Sequence, residues 1–404
     1  ERFDLTDEEA LEQLEWSAAW QYALDITPEE AHTCQKTLHN FRVKLLGDDQ
    51  GAGLFESTTA RLIEAAKLRT GRQRQDSTHI LSNIKVLTRL GLFVRTVTQF
   101  LEALRKEHPR LCELLPEELR ERYLDREGYF ADARASEAPR RLAQTALDVY
   151  DLVHRFGEHR TVAAMESFKL LARLYAEQCV PPGSGKPGKI ELQERPSSSS
   201  LQSPSDPDAT YGHKGKGYEA QLTETCDEQN PFQAVTSVTV HGANESDQHQ
   251  VAPALDQIER TCGATPETLH TDAAYGSGEN IVSARERGTD LAAPIGSNGP
   301  DENNAALGDF EFDAAGCVKS CPMGQAPIEH RLLGATRLAI FSPAQCADCP
   351  VRSACLTRTR GNERVLRYRP ADAAVARRRI EQETPQFKER HKIRSGIEAT
   401  NSEL

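Results

Sequence analysis

The chain lacks the features of a membrane or secreted protein. No run of about 18 apolar residues is present, and the N-terminus has no charged, apolar and small-residue segments of a secretory signal. These absences predict a cytoplasmic protein with no membrane partner. Apolar residues make up 38% of the 404 residues, which is lean for a soluble domain but too rich for a disordered chain. The length predicts two or three domains.

An excess of positive charge is also absent. The net charge is −12, which disfavours nucleic-acid binding if the charge is spread evenly. The charge is not spread evenly, because residues 351–404 hold 13 Lys or Arg against 7 Asp or Glu. This asymmetry permits a DNA-binding face, although a solvated helix of mixed charge explains it equally well.

The first half of the chain reads mainly as helices. Residues 1–70 form a predicted N-terminal helical domain, in which Thr6 is an expected N-cap with Glu9 three residues later. A short strand-like segment, 71–84, precedes a second helical block at 85–179. Residues 180–217 are rich in Pro, Gly and Ser and are predicted to form a linker or extended loop.

The second half has an α/β pattern. Residues 218–300 read as two strands, a helix, a strand, a helix and a strand, which is the order of a mixed α/β sheet. A Cys-rich module at 301–365 and a basic C-terminal helix at 366–404 follow. The chain starts without Met and stops at Leu404 within a helical pattern, so we expect a piece of a longer protein.

Five of the ten cysteines lie within the module, between Cys317 and Cys355. Such crowding in a long chain without a signal peptide favours a metal over disulfides. Four thiolates suit tetrahedral structural Zn²⁺; the predicted ligands are Cys321, Cys346, Cys349 and Cys355, with Cys317 as an alternative fourth ligand. Free thiols and an iron–sulfur cluster remain alternatives.

Asp272 follows a short apolar strand, in the stretch "HTDAAYGS". The carboxyl ends of strands in α/β sheets are common ligand sites, and an Asp there suits a divalent cation. A turn or cap residue is the alternative. The stretch resembles the second-aspartate motif of bacterial insertion-sequence transposases of the DDE class. The tail "HKIRSGIEATNSEL" is similar to the signature Tyr, two residues, Arg, three residues, Glu, six residues, Lys, with His391, Arg394 and Glu398 at those spacings. His replaces the signature Tyr, and the Lys position falls beyond Leu404.

The resemblance implies an RNase H-like mixed sheet interrupted by a helical insertion. It also implies a catalytic triad of a first Asp, Asp272 and Glu398. Asp76, in "RQDSTHI", is the expected first Asp, and Asp208, in "SDPDATYGHKGKGY", is the alternative. Three carboxylates could hold two Mg²⁺ or Mn²⁺ ions about 3.5–4 Å apart for phosphoryl transfer on DNA.

The same resemblance implies double-stranded DNA as the partner, both transposon ends and target, and a homodimer in the DNA complex at the bacterial nucleoid. Arg394 is an expected phosphate contact, or simply the ion-pair partner of Glu398 one helical turn away. His391, Lys214 and Lys216 are further expected substrate contacts. Two other functions remain open: a truncated transposase that binds DNA without catalysis, and a nuclease without strand transfer.

Overall fold

The computed structural model describes residues 5–47, 50–80, 87–125, 137–180, 190–296, 307–313 and 315–403. The end of the expected first core strand, 81–84, and the first part of the expected linker, 181–189, lie outside these ranges. The described residues divide into two compact units. We call them the core unit (within 1–77, 221–239 and 247–404) and the helical unit (within 78–220 and 240–246).

The described part of the chain contains the following α-helices: α1 (Asp7–Trp16), α2 (Ala18–Leu24), α3 (Gln35–Gly47), α4 (Gln50–Ala66), α5 (Arg89–Glu107), α6 (Pro109–Glu113), α7 (Glu117–Arg120), α8 (Ala138–Phe156), α9 (Arg160–Ala163), α10 (Glu166–Gln178), α11 (Val251–Cys262), α12 (Gly278–Glu286), α13 (Pro343–Ala347), α14 (Pro370–Glu381), α15 (Pro385–His391) and α16 (Ile397–Ser402). No helix among the described residues is long and apolar enough to cross a membrane.

Its strands are β1 (Arg72–Ile80), β2 (Cys179–Val180), β3 (Glu191–Leu192), β4 (Thr210–Gly212), β5 (Gly215–Thr225), β6 (Val235–Gly242), β7 (Thr268–His270), β8 (Asp290–Ala292), β9 (Glu311–Phe312), β10 (Val318–Ser320), β11 (Glu329–Leu333), β12 (Thr336–Phe341), β13 (Arg358–Arg360) and β14 (Glu363–Tyr368).

Local signals set several helix ends as predicted. The capping box at α1 is confirmed, since the Thr6 hydroxyl accepts from the Glu9 N–H and the Glu9 carboxylate accepts from the Thr6 N–H. The sequence pattern predicts one helix through Leu24, but the structure breaks it at Ser17, whose backbone is extended and whose hydroxyl caps α2. Farther along, α11 ends at Gly263 in the left-handed conformation, as expected for a helix stop.

The core unit contains a sheet in which β5, β1, β7 and β8 follow one another in that order and β6 also pairs with β5. β1, β7 and β8 are parallel neighbours, and α11 and α12 supply buried residues beside them, including Leu255, Ile258 and Ile281. The predicted succession of strands and helices from 218 to 295 is therefore confirmed. Parallel strands bring their carboxyl ends to one edge of the sheet, where α/β proteins bind ligands.

The Cys-rich region forms its own antiparallel sheet, in the order β11-β12-β14-β13. Phe341, Leu366 and Tyr368 form its core with Phe310. After it, the expected single basic helix is three helices, because Pro385 begins α15 and a 3₁₀ segment, Lys392–Gly396, separates α15 from α16.

The helical unit is built on α5, α8 and α10, whose apolar faces share one core. Phe100 lies at its centre, with its ring edge-on to Phe156 and Phe168. The Pro- and Ser-rich segment after residue 190 packs onto this unit rather than extending into solvent. Leu201 is fully buried in the same core, and the Glu177 carboxylate accepts from its N–H.

Candidate active site

Two of the three expected acidic residues lie on or directly after neighbouring parallel strands, which run about 4.8 Å apart in a sheet. Arg74 of β1 is in register with His270, the last residue of β7. Asp76 lies two residues after Arg74, in the middle of β1, and Asp272 lies two residues after the end of β7. The sheet therefore brings together residues that are far apart in the sequence.

Arg394 connects Asp76 with Glu398. Its Nη2 lies 3.3 Å from Asp76 Oδ2, and its Nη1 lies 3.4 Å from Glu398 Oε1. The side chains of Arg394 and Asp76 are 19% and 13% exposed, whereas that of Glu398 is 65% exposed. The ion pair of Arg394 with Glu398 one turn away, expected from the sequence as one of two alternatives, is present, and Arg394 also contacts Asp76.

Asn401, one turn after Glu398 on α16, is a further neighbour of Asp76. Its Nδ2 donates to Asp76 Oδ2 over 3.2 Å. Two polar atoms beside this carboxylate are buried and have no partner within the described ranges: Asn401 Oδ1 and Arg394 Nε. Buried polar atoms are nearly always hydrogen-bonded, so these two are available for a ligand.

A buried ion pair holds the Glu398 segment against the sheet. Arg74 Nη2 and Glu224 Oε1 lie 2.6 Å apart, with side-chain exposures of 13% and 4%. Arg74 Nη1 also donates to the Ile393 carbonyl, and the Thr400 hydroxyl donates to Glu224 Oε2. We call Arg74, Glu224 and Thr400 the docking triad, because it joins β1 and β5 to both ends of the turn that carries Arg394 and Glu398.

Tyr275 lies fully buried beneath the acidic residues and donates its phenolic O–H to Gln221 Oε1. Gln221 Nε2 in turn donates to Asp247 Oδ1 over 2.6 Å. Burial raises the pKa of Tyr275 far above its usual value, and the charges of Asp247, Asp76 and Asp272 raise it further. Negative charge from three carboxylates is thus concentrated around one buried hydroxyl.

Asp272 also fulfils the alternative suggested by its sequence context. Its Oδ1 accepts from the Ala274 N–H over 2.8 Å, which forms a turn directly after β7. That bond orients the carboxylate and does not involve Oδ2. Among the described residues, Asp76, Asp272 and Glu398 do not form a set whose ligand oxygens all lie within 4.8 Å of one another.

His391 occupies the position of the signature Tyr. Its Nε2 is 2.9 Å from the Thr271 carbonyl, and its ring stacks on Phe387 with the centroids 5.5 Å apart. The residue before Asp272 is thereby fixed to the end of α15. His270 nearby is fully buried, and its ring nitrogens have no hydrogen-bond partner in the part of the chain that the structure describes. Burial lowers its pKa to about 4, and Arg390, Arg72 and His391 lower it in the same direction.

Three other expected site residues, Asp208, Lys214 and Lys216, belong to the helical unit. Asp208 is exposed. Lys214 lies 3.8 Å from Glu219, and Lys216 donates to the Leu87 carbonyl over 3.0 Å.

In the cysteine module, three thiols lie close enough to Cys346 to affect its pKa. Burial raises the pKa of Cys346, the Arg364 guanidinium lowers it, and Cys349, Cys321 and Cys355 raise it. Cys317 has a different neighbour, since Arg337 Nη1 donates to its sulfur over 3.2 Å. No three of these sulfurs lie within 4.8 Å of one another in the described part of the chain.

Arg364 is a buried cation beside these thiols. It is 9% exposed, and two of its nitrogens donate to the hydroxyls of Thr357 and Thr359. Its Nε is buried and has no partner among the described residues. The positive charge of Arg364 opposes the rise in the pKa of Cys346 that burial causes.

Sequence reasoning missed the docking triad, Tyr275, Gln221 and Asn401. The sequence contains only a weak indication of these residues. Alternate residues of "RQRQD" are Gln73 and Gln75, both fully buried, and buried polar residues of this kind indicate a hydrogen-bond network. Asn401 lies three residues after Glu398, on the same helical face.

In a comparison with known protein families, the C-terminal segment of the chain finds a match. Residues 320–404 match a family model described as the transposase DDE domain. The matched segment contains Arg394 and Glu398 and the last four cysteines, while Asp76 and Asp272 lie before it. No curated protein and no solved structure matches the chain. The match supports a DDE transposase, a family that cleaves nucleic acid with divalent metal ions.

Proposed function

We propose that this protein is a DNA transposase with an RNase H-like core, which cuts DNA at transposon ends and joins the 3′-OH to target DNA. One observation carries the proposal: the Arg394 guanidinium contacts Asp76 and Glu398, which come from opposite ends of the chain. The segment that matches the transposase family supplies Arg394 and Glu398. Asp76 lies on β1, and Asp272 follows the neighbouring parallel strand β7 by two residues.

The donor atoms suit Mg²⁺ or Mn²⁺. Carboxylate oxygens are the ligands that these cations prefer; burial raises the pKa of Tyr275, and the negative charges of Asp247, Asp76 and Asp272 raise it further. We propose that Asp76, Asp272 and Glu398 would hold the ions. The ligand oxygens of carboxylates that flank two ions need not all lie within 4.8 Å of one another. When bound, such a pair activates the attacking oxygen and stabilises the leaving oxygen.

Arg394 has two roles in this proposal. Its guanidinium neutralises Asp76 and Glu398. With cations held by these carboxylates, the guanidinium would be available to bind a DNA phosphate in a bidentate manner. Its Nε, buried without a partner, is already available as a donor. His391 fixes the Thr271 carbonyl and so positions Asp272.

The surroundings suit DNA and structural zinc. Residues 351–404 hold 13 Lys or Arg against 7 Asp or Glu, and Arg352, Arg358 and Arg360 follow the paired cysteines. This excess of positive charge favours phosphate binding. We propose Cys321, Cys346, Cys349 and Cys355 as zinc ligands, because Cys317 is engaged by Arg337. A four-thiolate zinc site carries negative charge, and the buried Arg364 guanidinium would balance it.

The test is Mg²⁺- or Mn²⁺-dependent cleavage of DNA carrying the ends of the source element. We expect Asp76→Ala, Asp272→Ala and Glu398→Ala each to lower the cleavage rate by about 10²-fold or more. Asp256→Ala is the matched control, because Asp256 is an exposed carboxylate of the same unit that pairs with Arg287. Asp208→Ala separates the two candidates for the first Asp.

Three outcomes would overturn the proposal or part of it. Cleavage that survives Asp76→Ala but not Asp208→Ala would make Asp208 the first catalytic carboxylate. Cleavage without joining of the cut 3′ end to a target duplex would identify a nuclease. DNA binding by the wild-type protein without cleavage would identify a non-catalytic DNA-binding protein.

A further inference from the structure

The helical unit contains a pocket whose charged lining residues are both cations. It lies between the start of α5 and the Ser-rich segment, and its polar lining includes Arg89, Lys216, Gln178, Ser197 and Ser198. None of the described residues that line it is acidic. Two cations around one cavity normally require a counter-charge.

Neither cation has an acidic partner among the residues that the structure describes. Arg89 donates from Nε to the side-chain oxygen of Gln178 and from Nη2 to the Gln178 and Gln193 carbonyls. These bonds leave Arg89 Nη1 unused. Lys216 donates to the Leu87 carbonyl, which uses one of its three N–H groups.

The surroundings of the two cations destabilise their charged forms. Burial lowers the pKa of Arg89 and of Lys216. No carboxylate raises either pKa; only the Cys179 thiol acts favourably on Arg89. Arg89 is also the first residue of the 19-residue helix α5, where the helix dipole adds positive potential instead of balancing it. Within the described part of the chain, no negative charge therefore compensates the positive charge of the pocket.

We infer that this pocket binds a phosphate group, held by Arg89 Nη1, the ammonium group of Lys216 and the serine hydroxyls of the lining. A phosphate supplies the missing negative charge and several acceptor oxygens for these donors. The group could belong to a DNA backbone or to a free phosphate ion. The DNA case rests on the proposed function, whereas the phosphate site itself does not.

The test compares Lys216→Gln, Lys216→Arg and Lys169→Gln in the full chain. Gln keeps a donor for the Leu87 carbonyl but removes the charge, and Arg keeps the charge. Lys169 is the control, because it is an exposed lysine of the same unit, paired with Glu166. Binding of inorganic phosphate is measured by ³¹P NMR, and binding of a DNA duplex is measured at several salt concentrations.

If the site takes a free ion, Lys216→Gln weakens phosphate binding about tenfold or more, while Lys216→Arg and Lys169→Gln leave it unchanged. If it takes a DNA phosphate, inorganic phosphate binds weakly, and Lys216→Gln lowers both duplex affinity and the salt slope, the latter by about one. Equal effects of Lys216→Gln and Lys169→Gln in both assays, or no effect of either, would overturn the inference. DNA cleavage that depends on Asp272 can persist in every one of these cases, so the two proposals fail separately.

Discussion

Replacing Gly396 with Ala tests how the Glu398 segment is attached to the sheet. Gly396 has φ −64° and ψ −20°, an ordinary helical conformation, so Ala is locally allowed and by propensity alone would stabilise the segment by up to about 1 kcal/mol. The surroundings oppose this. A Cβ at this position would lie 1.8 Å from Arg74 Nη1 and 2.5 Å from Arg74 Cζ, so the guanidinium must move.

The cost of that movement exceeds the gain in propensity. Arg74 is held by Glu224 and by the Ile393 carbonyl. Overpacking costs about 1–3 kcal/mol, and complete loss of a buried ion pair costs about 3–5 kcal/mol. We expect Gly396→Ala to lower the free energy of unfolding by about 2 kcal/mol net, because a displaced Arg74 keeps part of its interaction with Glu224.

Thermal unfolding measures this effect, with an expected fall in Tm of about 4–8 °C. Hydrogen exchange should also quicken in 393–403, the segment attached by the docking triad. Gly53→Ala is the control. Gly53 lies within α4 with no atom near its Cβ position, so this variant should be as stable as the wild type or more so. A Gly396→Ala variant that also matches or exceeds the wild type would refute the docking role of Arg74.

Three further results are expected. Tyr275→Phe removes a buried donor to Gln221 and should lower the free energy of unfolding by about 1 kcal/mol in urea titrations; an unchanged midpoint would mean that this bond contributes nothing. The pKa of His270 falls from 6.5 to about 4 on folding. Its contribution to the free energy of unfolding is therefore fully present above pH 6.5 and is lost as the pH falls towards 4, by about 3 kcal/mol in total. Stability curves of His270→Gln should be flatter in that window, and curves parallel to the wild type would contradict the assignment. Cys346→Ser should abolish bound zinc in metal analysis of the purified protein while Cys317→Ser retains it, and no zinc in the wild type would refute the proposed site.

Much of the local structure followed from the sequence because its causes are local. The capping box of Thr6 and Glu9 lies within one helical turn, and Gly263 ends α11 through its own backbone conformation. The break at Ser17 was missed because apolar residues continue past it at helical spacing. The antiparallel sheet of the Cys-rich region was missed for a similar reason: β11 is exposed along its whole length, so its sequence shows no alternation between buried and exposed residues.

The candidate site was only partly predictable. Its contacts join residues that are distant in the chain: Arg394 and Asp76 are 318 positions apart, and Arg74 and Glu224 are 150 apart. No periodicity connects such residues, so Asp76, Asp272 and Glu398 could be proposed together only through resemblance to a family. The docking triad has no signature of that kind. Its members became evident only when the sheet register and the packing of α16 were known.

The number of bound cations shows whether Asp76 belongs to a metal site. Titration with Mn²⁺, followed by electron paramagnetic resonance, counts bound ions without requiring a DNA substrate. We expect two Mn²⁺ ions per wild-type chain and loss of both in Asp76→Asn, which keeps the shape of the side chain but removes its charge. Asp256→Asn should bind as the wild type does. Equal Mn²⁺ binding by Asp76→Asn and the wild type would show that Asp76 is not part of a metal site.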